Sequence, residues 1–361
     1  MKISYILLMI SCIISGCSSQ RVVNKTQLVQ TIGFDWNKDE NTIRGTILYP
    51  TFEEKGLTKI NLLDTISNSY YDILPRLSTK TTFPIEQGQL RMVVFSKSLA
   101  AKGIQPIVHS LCRDPKIGTR AQLGVAEQEA SKILKQAKDA NVPFQLFNMV
   151  NQNISNGNLP RMNLQVFLFN FYGEGRDPYL PYFIMEQNKI KINGLALFKK
   201  EKFVAHIGIR ESFILKLLME NTKNANYQIK IPGSNRDLID FILLSSIRSK
   251  VQYSVNVTQP IPSISINIKI QAKMKDVPTY VDLTKSSEIH KVEKMIEKYF
   301  EEETQKIISF CQRHQVDPIG FGDMVRGKTR DWGYRDFQKI YPQMKTDVEV
   351  LVKVVQTGVA E

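Results

Sequence analysis

The sequence predicts a mixed α/β protein of more than one domain, in which helices pack on mixed β-sheets. Three observations predict this class. Strand-like and helix-like segments alternate through the first half of the 361-residue chain. Residues 264–274 place an apolar side chain at every second position, as in a strand with one buried face. Residues 286–315 carry an apolar stripe at helical spacing, and such a stripe needs a sheet to cover it.

The first seventeen residues are typical of a lipoprotein export signal. Lys2 precedes an apolar segment, residues 3–14, which is shorter than the ~20 residues that span a bilayer but matches a signal-peptide core. Small residues and Cys17 follow, which predicts cleavage between Gly16 and Cys17 and attachment of a diacylglyceryl lipid to the Cys17 thiol. The alternative is a generic signal peptide in which Cys17 is incidental. No later apolar run is long enough to span a bilayer, so the lipid is the only anchor that the sequence supports.

We therefore expect four parts in the chain. They are a signal peptide at 1–16, a lipidated tether at 17–26, an N-terminal α/β region of one or two subdomains at 27–190, and a C-terminal α/β domain at 191–361. The C-terminal domain is expected to contain long strands and one long helix.

In the N-terminal region, strands and helices are predicted in alternation. Strands are expected at 28–36, 42–49, 90–95 and 121–126, the first two joined as a hairpin. Helices are expected at 61–74, from Ser96 or Ser98 to 114 with interruptions at Gly103 and Pro106, at 128–138 and at 144–156. Residues 164–172 are apolar at the strand period of two and also at the helix period of about 3.6, so the pattern does not choose between strand and helix. Gly173–Pro178 is expected to be a loop.

In the C-terminal domain, two long strands flank the long helix. Strands are expected at 190–198, 202–207, 227–231, 251–257, 264–274 and 348–354, and helices at 211–221 and 286–315. The strand at 264–274, the long helix and the last strand form one packed unit in this prediction. The acidic run Glu301–Glu303 is expected on the solvated side of the helix.

The composition is that of an ordinary globular protein, with 42 % hydrophobic and 23 % charged residues. The net charge of +13 falls to +12 when Lys2 leaves with the signal peptide. Export, and lysines that are scattered rather than interleaved with aromatic residues, argue against a nucleic-acid partner. The basic charge either attracts anionic lipid headgroups, as a second membrane signal, or is a solvated surface without a role.

No local motif indicates catalysis or metal binding. The four histidines are far apart and none stands in a metal-ligand spacing; they are His109, His206, His290 and His314. The sequence contains no phosphate-binding loop and no nucleophile elbow. We therefore expect no enzyme activity, no metal and no cofactor other than the covalent lipid on Cys17. Of the cysteines downstream of Cys17, Cys311 lies on the apolar face of the long helix, which favours a buried free thiol over a bridge to Cys112.

Several segments, in order along almost the whole chain, resemble the C-subunit lipoproteins of spore germinant receptors, the Ger(x)C family. The segments that carry the resemblance are Leu28–Asp35, Leu90–Ile104, Cys112–Pro115, Gly173–Pro178, Gly194–Lys199 and Asp317–Gly322, followed by Trp332, Tyr341–Pro342 and Gly358. The resemblance implies that residues 164–172 are helical. The chain departs from the family in having Ser18–Gln20 after Cys17, in lacking a histidine before Leu90, and in the basic segment Arg326–Arg330.

The resemblance implies a non-catalytic, lipid-anchored subunit of a nutrient receptor complex on the outer face of the spore inner membrane. It implies two multi-span membrane subunits as partners, one of them similar to amino-acid permeases, and a membrane lipid; the family indicates no ligand for this subunit itself. The alternative is a solute-binding lipoprotein of a membrane transporter. That class has two doubly wound lobes, which the long alternating strands of the C-terminal domain do not match. An envelope enzyme is disfavoured by the missing motifs.

Overall fold

The computed structural model describes residues 26–52, 58–232, 239–258, 260–278 and 281–357. The predicted signal peptide, the cleavage position at Gly16, the lipidation site Cys17 and the tether up to residue 25 lie outside the described residues.

The described residues form fourteen strands, in three sheets. They are β1 (Gln27–Leu28), β2 (Thr31–Asn37), β3 (Thr42–Phe52), β4 (Thr58–Ser67), β5 (Ile85–Glu86), β6 (Met92–Ser96), β7 (Gln122–Ala126), β8 (Tyr179–Glu186), β9 (Lys189–Lys199), β10 (Lys202–Ile207), β11 (Ala225–Pro232), β12 (Ile239–Asn256), β13 (Ser263–Asp276) and β14 (Lys345–Thr357).

The same residues contain ten α-helices and two short 3₁₀ helices, Tyr70–Asp72 and Tyr341–Gln343. The α-helices are α1 (Ile73–Ser78), α2 (Lys97–Lys102), α3 (Gln105–Arg113), α4 (Ala130–Ala140), α5 (Gln145–Ser155), α6 (Leu164–Tyr172), α7 (Ile209–Met219), α8 (Ser286–Arg313), α9 (Phe321–Arg326) and α10 (Tyr334–Ile340). None of the helices in the described part of the chain is long and apolar enough to cross a membrane.

The predicted mixed α/β class is confirmed. The large sheet has the order β10-β9-β8-β7-β6-β2-β3-β4, with parallel strands in the middle and antiparallel strands towards both edges. A second sheet has the order β11-β12-β13-β14, and β1 pairs with β5. The large sheet continues to Ile207 and so crosses residue 190, where the sequence predicts a boundary, because β9 and β10 extend it beyond β8.

Two hydrophobic clusters lie on opposite faces of the large sheet, since successive strand residues point to opposite sides. Val93 and Phe95 belong to a cluster whose buried residues run from Val29 to Phe198 of β9. Met92 and Val94 belong to the other cluster, which runs from Leu48 of β3 to Val352 of β14. The second cluster therefore joins the two sheets into one core.

The prediction of a helix at residues 61–74 is wrong. Residues 58–67 form β4, which pairs with β3 along its whole length, and α1 begins only at Ile73. Strand β4 is an edge strand of the large sheet and is partly buried on both faces, so apolar and polar residues do not alternate along it. The side chains Leu62, Leu63 and Ile66 consequently fall at spacings that resemble those of a helix.

Residues 164–172 are helical, as the resemblance implies and the pattern alone leaves open. They form α6, and the Asn163 side chain accepts a hydrogen bond from the Val166 N–H at 2.8 Å, which caps the first turn. The Ser96 side chain caps α2 in the same way, accepting from the Leu99 N–H at 3.3 Å, as expected for one of the two serines considered.

The packed unit of long strand, long helix and last strand is confirmed. Strand β13 runs parallel to β14 with Ile268 opposite Val350, and α8 connects them. All the apolar side chains predicted on the inner face of β13 are buried: Ile264, Ile266, Ile268, Ile270, Ala272 and Met274. On α8, Met295 stands at the helical spacing of the apolar stripe but is 40 % exposed, whereas Phe300, outside the stripe of the sequence pattern, is buried.

Three glutamates of α8 cover the outer edge of β14. The N–H groups of Val350, Val352 and Val354 donate to Oε1 of Glu301, Glu297 and Glu293, at 3.1, 3.1 and 2.8 Å. Alternate N–H groups of a terminal strand point away from the sheet and need acceptors, and residues four apart lie on one face of a helix. Glu301 is thus not on the solvated side where the sequence places it.

Candidate functional site: the carboxylate junction between the two halves

The four histidines do not come together. His206 stacks on Tyr182 with ring centroids 4.8 Å apart, and His109 packs against Tyr172 at 6.0 Å. His314 lies against Phe310, at the opposite end of α8 from the exposed His290. Among the described residues, no three His, Cys, Asp or Glu side chains are arranged to hold a metal ion.

The two cysteines in the described part of the chain are both free, Cys112 exposed and Cys311 buried. Cys311 has no exposed surface, and burial strongly raises the pKa of its thiol. The prediction of a buried free thiol in the long helix is confirmed. Only the thiolate reacts readily with thiol reagents, so Cys311 should be inert in the folded protein.

We expect one thiol per chain to react with a thiol reagent in the folded protein and two in denaturant, because only Cys112 is exposed. The measurement is a stoichiometric thiol titration of a Cys17→Ala chain that lacks residues 1–16. Cys112→Ser is the matched control and should leave no reactive thiol in the folded state. Rapid reaction of two thiols before unfolding would contradict the buried position of Cys311.

Two buried carboxylates meet at the junction between the loop after α6 and the segment after α8. Asp177 and Asp317 are each 1 % exposed, and they lie in Gly173–Pro178 and Asp317–Gly322, two segments that carry the family resemblance. The backbone N–H of Asp177 donates to the carbonyl of Asp317 at 2.8 Å. In return, the N–H of Asp317 donates to Oδ2 of Asp177, also at 2.8 Å. We call this cluster the carboxylate junction.

The Asp317 carboxylate holds the start of α9. Its Oδ1 accepts from the N–H groups of Gly320 and Phe321 at 2.8 and 3.0 Å, and its Oδ2 accepts from Gly322 at 2.8 Å. Burial raises the pKa of Asp317 to about 7; the three N–H donors act against this shift, and the nearby Asp177 adds to it. This side chain therefore satisfies backbone donors that a helix start leaves without intrahelical partners.

The Asp177 carboxylate binds the turn between β9 and β10. Its Oδ2 accepts from the Lys199 ammonium at 2.9 Å, and its Oδ1 accepts from the Lys200 N–H at 3.3 Å. The ammonium groups of Lys199 and Lys200 lie 5.6 and 5.0 Å from the ring centroid of Tyr334 at the start of α10. Asp177 thus connects a strand of the large sheet with segments from the C-terminal end of the chain.

Arg176 forms a second link beside the carboxylates. Its guanidinium donates to Asp323 of α9, with Nε and Oδ2 2.6 Å apart, and it lies 4.5 Å from the ring of Phe169 on α6. A planar guanidinium can bind a carboxylate along its edge while its face stacks on an aromatic ring. Arg176 therefore joins the two segments at the surface, where Phe169 is 62 % exposed.

Two glycines let the backbones approach closely at the same place. Gly175 has φ of +100°, a conformation that favours glycine. A Cβ on Gly175 would lie 2.5 Å from the carbonyl carbon of Gly322, and a Cβ on Gly322 would lie 2.6 Å from the Cα of Gly175. The Asp323 N–H also donates to the Gly175 carbonyl at 3.0 Å. The two chain segments are in direct backbone contact.

The arrangement is suited to joining segments rather than to proton transfer. The Asp177 and Asp317 oxygens already accept from backbone N–H groups or Lys199, and both side chains are almost inaccessible to solvent. A general acid or base must reach the substrate proton. No local spacing in the sequence relates these two residues, although both stand in segments that carry the resemblance. The signal that they share is an Asp directly before a Pro, at 177 and at 317.

A surface cleft of about 460 Å³ lies between β3, β4 and α4. The charged residues of its lining are basic Arg44, Lys132, Lys135 and Lys138 and acidic Asp64 and Glu129. A neighbouring cleft of about 320 Å³ includes Asp35, whose carboxylate accepts from the N–H groups of Ala130 and Ser131 and so caps α4. Burial raises the pKa of Asp35. Both clefts carry charged side chains of both signs.

The chain is similar to spore germination proteins along its length. Residues 19–185 match the family described as the spore germination protein N-terminal domain, and residues 193–358 match the family described as spore germination B3/GerAC like, C-terminal. Spore germination protein GerQC of Bacillus cereus is 28 % identical over 363 residues, covering all of both chains. Putative spore germination protein YfkR and spore germination protein KC, both of Bacillus subtilis (strain 168), are 22 % and 20 % identical, each over 98 % of this chain and 95 % of the relative.

A solved structure shares the fold. The crystal structure of the GerBC protein superposes with a TM-score of 0.57, over 90 % of this chain and 96 % of that chain. The two sequences are 13 % identical, so the likeness concerns the fold.

Proposed function

The chain belongs to the family of GerAC-like spore germination proteins, and from that premise we propose that it is the lipid-anchored, non-catalytic subunit of a nutrient germinant receptor. The observation that carries the proposal is the match of both halves, in order, to the two domains of this family. The family is that of germinant receptor C subunits, which supports a role in spore germination. The buried, fully bonded carboxylates of the junction support a non-catalytic role.

The lipid anchor of the proposal rests on residues 1–17. A diacylglyceryl group on Cys17 would hold the folded part at the outer face of the spore inner membrane. Confinement to a surface raises the effective concentration of a subunit beside membrane partners without any new contact. The partners in the proposal are two multi-span subunits, one of them similar to permeases, and the complex responds to nutrients.

Cys17→Ala is expected to leave the chain unprocessed and to abolish its lipid attachment, because alanine has no thiol to form the thioether. The measurements are lipid labelling and cleavage of the signal peptide in sporulating cells, together with the rate of nutrient-triggered germination. Cys12→Ala changes the same residue type inside the signal core and should process normally. Normal lipid attachment to the Cys17→Ala chain would contradict the proposed anchor.

The complex is tested by affinity purification of the tagged protein from detergent-solubilised spore membranes. We expect two multi-span germination subunits to co-purify in constant ratio. Recovery of a transport ATPase with a permease would instead indicate a solute-binding lipoprotein. Recovery of the tagged protein alone, under conditions that keep other membrane complexes intact, would contradict the receptor proposal.

A further inference from the structure

We propose that the surface around β1 and β5 faces the bilayer and binds anionic lipid headgroups. This inference rests on the proposed lipid at Cys17 and adds which side of the protein lies against the membrane. Three features of the chain support it: the length and charge of the tether, an aromatic side chain where the tether reaches the fold, and cationic side chains along the same edge of the large sheet.

The tether is short and basic. Nine residues separate Cys17 from Gln27, the first residue of β1, and even a fully extended chain of that length reaches only about 30 Å. These residues include Arg21 and Lys25, and the first acidic residue after Cys17 is Asp35. A basic segment next to a lipid anchor is attracted to anionic lipids.

The tether reaches the fold beside an exposed aromatic ring. The N–H of Gln27 donates to the carbonyl of Pro84 at 3.0 Å, and β1 then pairs with β5. Phe83 directly precedes Pro84, and 40 % of its surface is exposed. An exposed aromatic ring close to a membrane anchor can insert at the boundary between headgroups and acyl chains, as the Trp, Phe and Leu side chains of interfacial helices do.

Cationic side chains lie along the same edge of the sheet. Strands β2, β6 and β7 are parallel and start at the same level, since Thr31 lies opposite Met92 and Met92 opposite Gln122. Their starting ends therefore face one side, which is also the side of β1. The exposed residues Arg91 and Arg120 come immediately before β6 and shortly before β7.

Arg91 and Arg120 differ from Lys116 in their ion pairing. The backbone N–H of Arg91 donates to the Gln30 carbonyl at 2.9 Å, which holds Arg91 at this edge of the sheet. Neither Arg91 nor Arg120 forms an ion pair with another residue of the described ranges, whereas Lys116 pairs with Glu86 of β5 at 2.7 Å. Charges act over a Debye length of about 8–10 Å at physiological salt, so only cations close to the membrane contribute. Cations beside the tether satisfy that condition.

The test measures how deep two positions lie when the lipidated full-length protein is reconstituted into vesicles. A spin label is placed at Phe83→Cys or, as a control, at Asp39→Cys in the exposed β2–β3 hairpin, each with Cys112→Ser. Asp39 follows the opposite end of β2, roughly 20 Å away at about 3.3 Å per residue. The readout is the collision rate of each label with a water-soluble nickel chelate relative to oxygen.

On phosphatidylcholine vesicles that contain phosphatidylglycerol, we expect the label at position 83 to lose nickel accessibility several-fold while the label at 39 does not. The double variant Arg91→Glu and Arg120→Glu should remove most of this protection. Lys328→Glu with Arg330→Glu makes the same charge change on an exposed loop elsewhere and should leave the protection intact. Arg91→Gln with Arg120→Gln, a milder pair, should show an intermediate effect, and melting curves check that each variant is folded.

The outcomes separate this inference from the anchor on which it rests. Protein that fails to float with the vesicles despite an intact Cys17 contradicts the lipid anchor itself. Protein that floats while position 83 stays as accessible as position 39 overturns the orientation. If position 83 is equally protected on vesicles of phosphatidylcholine alone, the surface does not require anionic headgroups and that part of the proposal is wrong. If protection appears only when the multi-span subunits are present, the surface is an interface with those proteins and not with lipid.

Discussion

Gly175→Ala is expected to lower the free energy of unfolding by about 3 kcal/mol or more, because the strain of a left-handed non-glycine residue and the cost of overpacking add. The new Cβ would lie 2.5 Å from the Gly322 carbonyl carbon and 2.6 Å from the Asp323 nitrogen. Both are backbone atoms, so no flexible side chain can move aside. The measurement is the urea midpoint of unfolding at constant slope.

Gly88→Ala is the matched control for this substitution. No heavy atom lies within 4 Å of a Cβ added at Gly88, so the same change there meets open space. We expect a shift within about 1 kcal/mol, as for most substitutions away from packed features. An equally small shift for Gly175→Ala would show that the two segments are not in backbone contact at the junction.

Ile268→Asp is expected to cost about 4 kcal/mol, since it buries a carboxylate without a partner and leaves the space of the lost side chain unfilled. Ile268 is 1 % exposed, in the middle of β13 and opposite Val350 of β14. Because the cluster that contains Ile268 also contains residues of the large sheet, the loss should appear as a lower melting temperature of the whole protein.

The control for Ile268→Asp is Lys269→Asp, which introduces the same residue at the next position of the strand. Lys269 is exposed on the opposite face of β13. Its carboxylate would be solvated, so the melting temperature should change little. If both variants melted at the wild-type temperature, the buried face of β13 would be misassigned.

Strand β13 was predictable because its pattern leaves one solution, whereas the first half of β12, before the predicted strand at 251–257, was not predicted. A strict period of two over 264–274 fits only a strand with one buried face, and the structure buries that face. The helix predicted at residues 61–74 was wrong because β4 is half-buried on both sides. Its pairing with β3, rather than the periodicity of its apolar residues, decides its structure.

The carboxylate junction was not predictable from sequence patterns because its residues meet only in the fold. Asp177 and Asp317 are 140 positions apart, and no local spacing relates them. The same holds for the contacts of Glu293, Glu297 and Glu301 with β14. Their four-residue spacing is typical of a solvated helix face, and only the fold shows that β14 lies beside them. The export signal predicted at positions 1–17 differs, because such a signal is recognised as a linear sequence and needs no fold.

The order in which the chain emerges during synthesis bears on when the core can close. Strand β14 is the last element of the described residues, it lies beside β13, and Val350 and Val352 belong to a cluster that begins at Leu48. The apolar face of β13 therefore stays incompletely covered until β14 has been synthesised. The export that we propose for this chain requires it to remain unfolded until it has crossed the membrane. A core that is completed by β14 suits such a route, because tight packing cannot form before this strand is present.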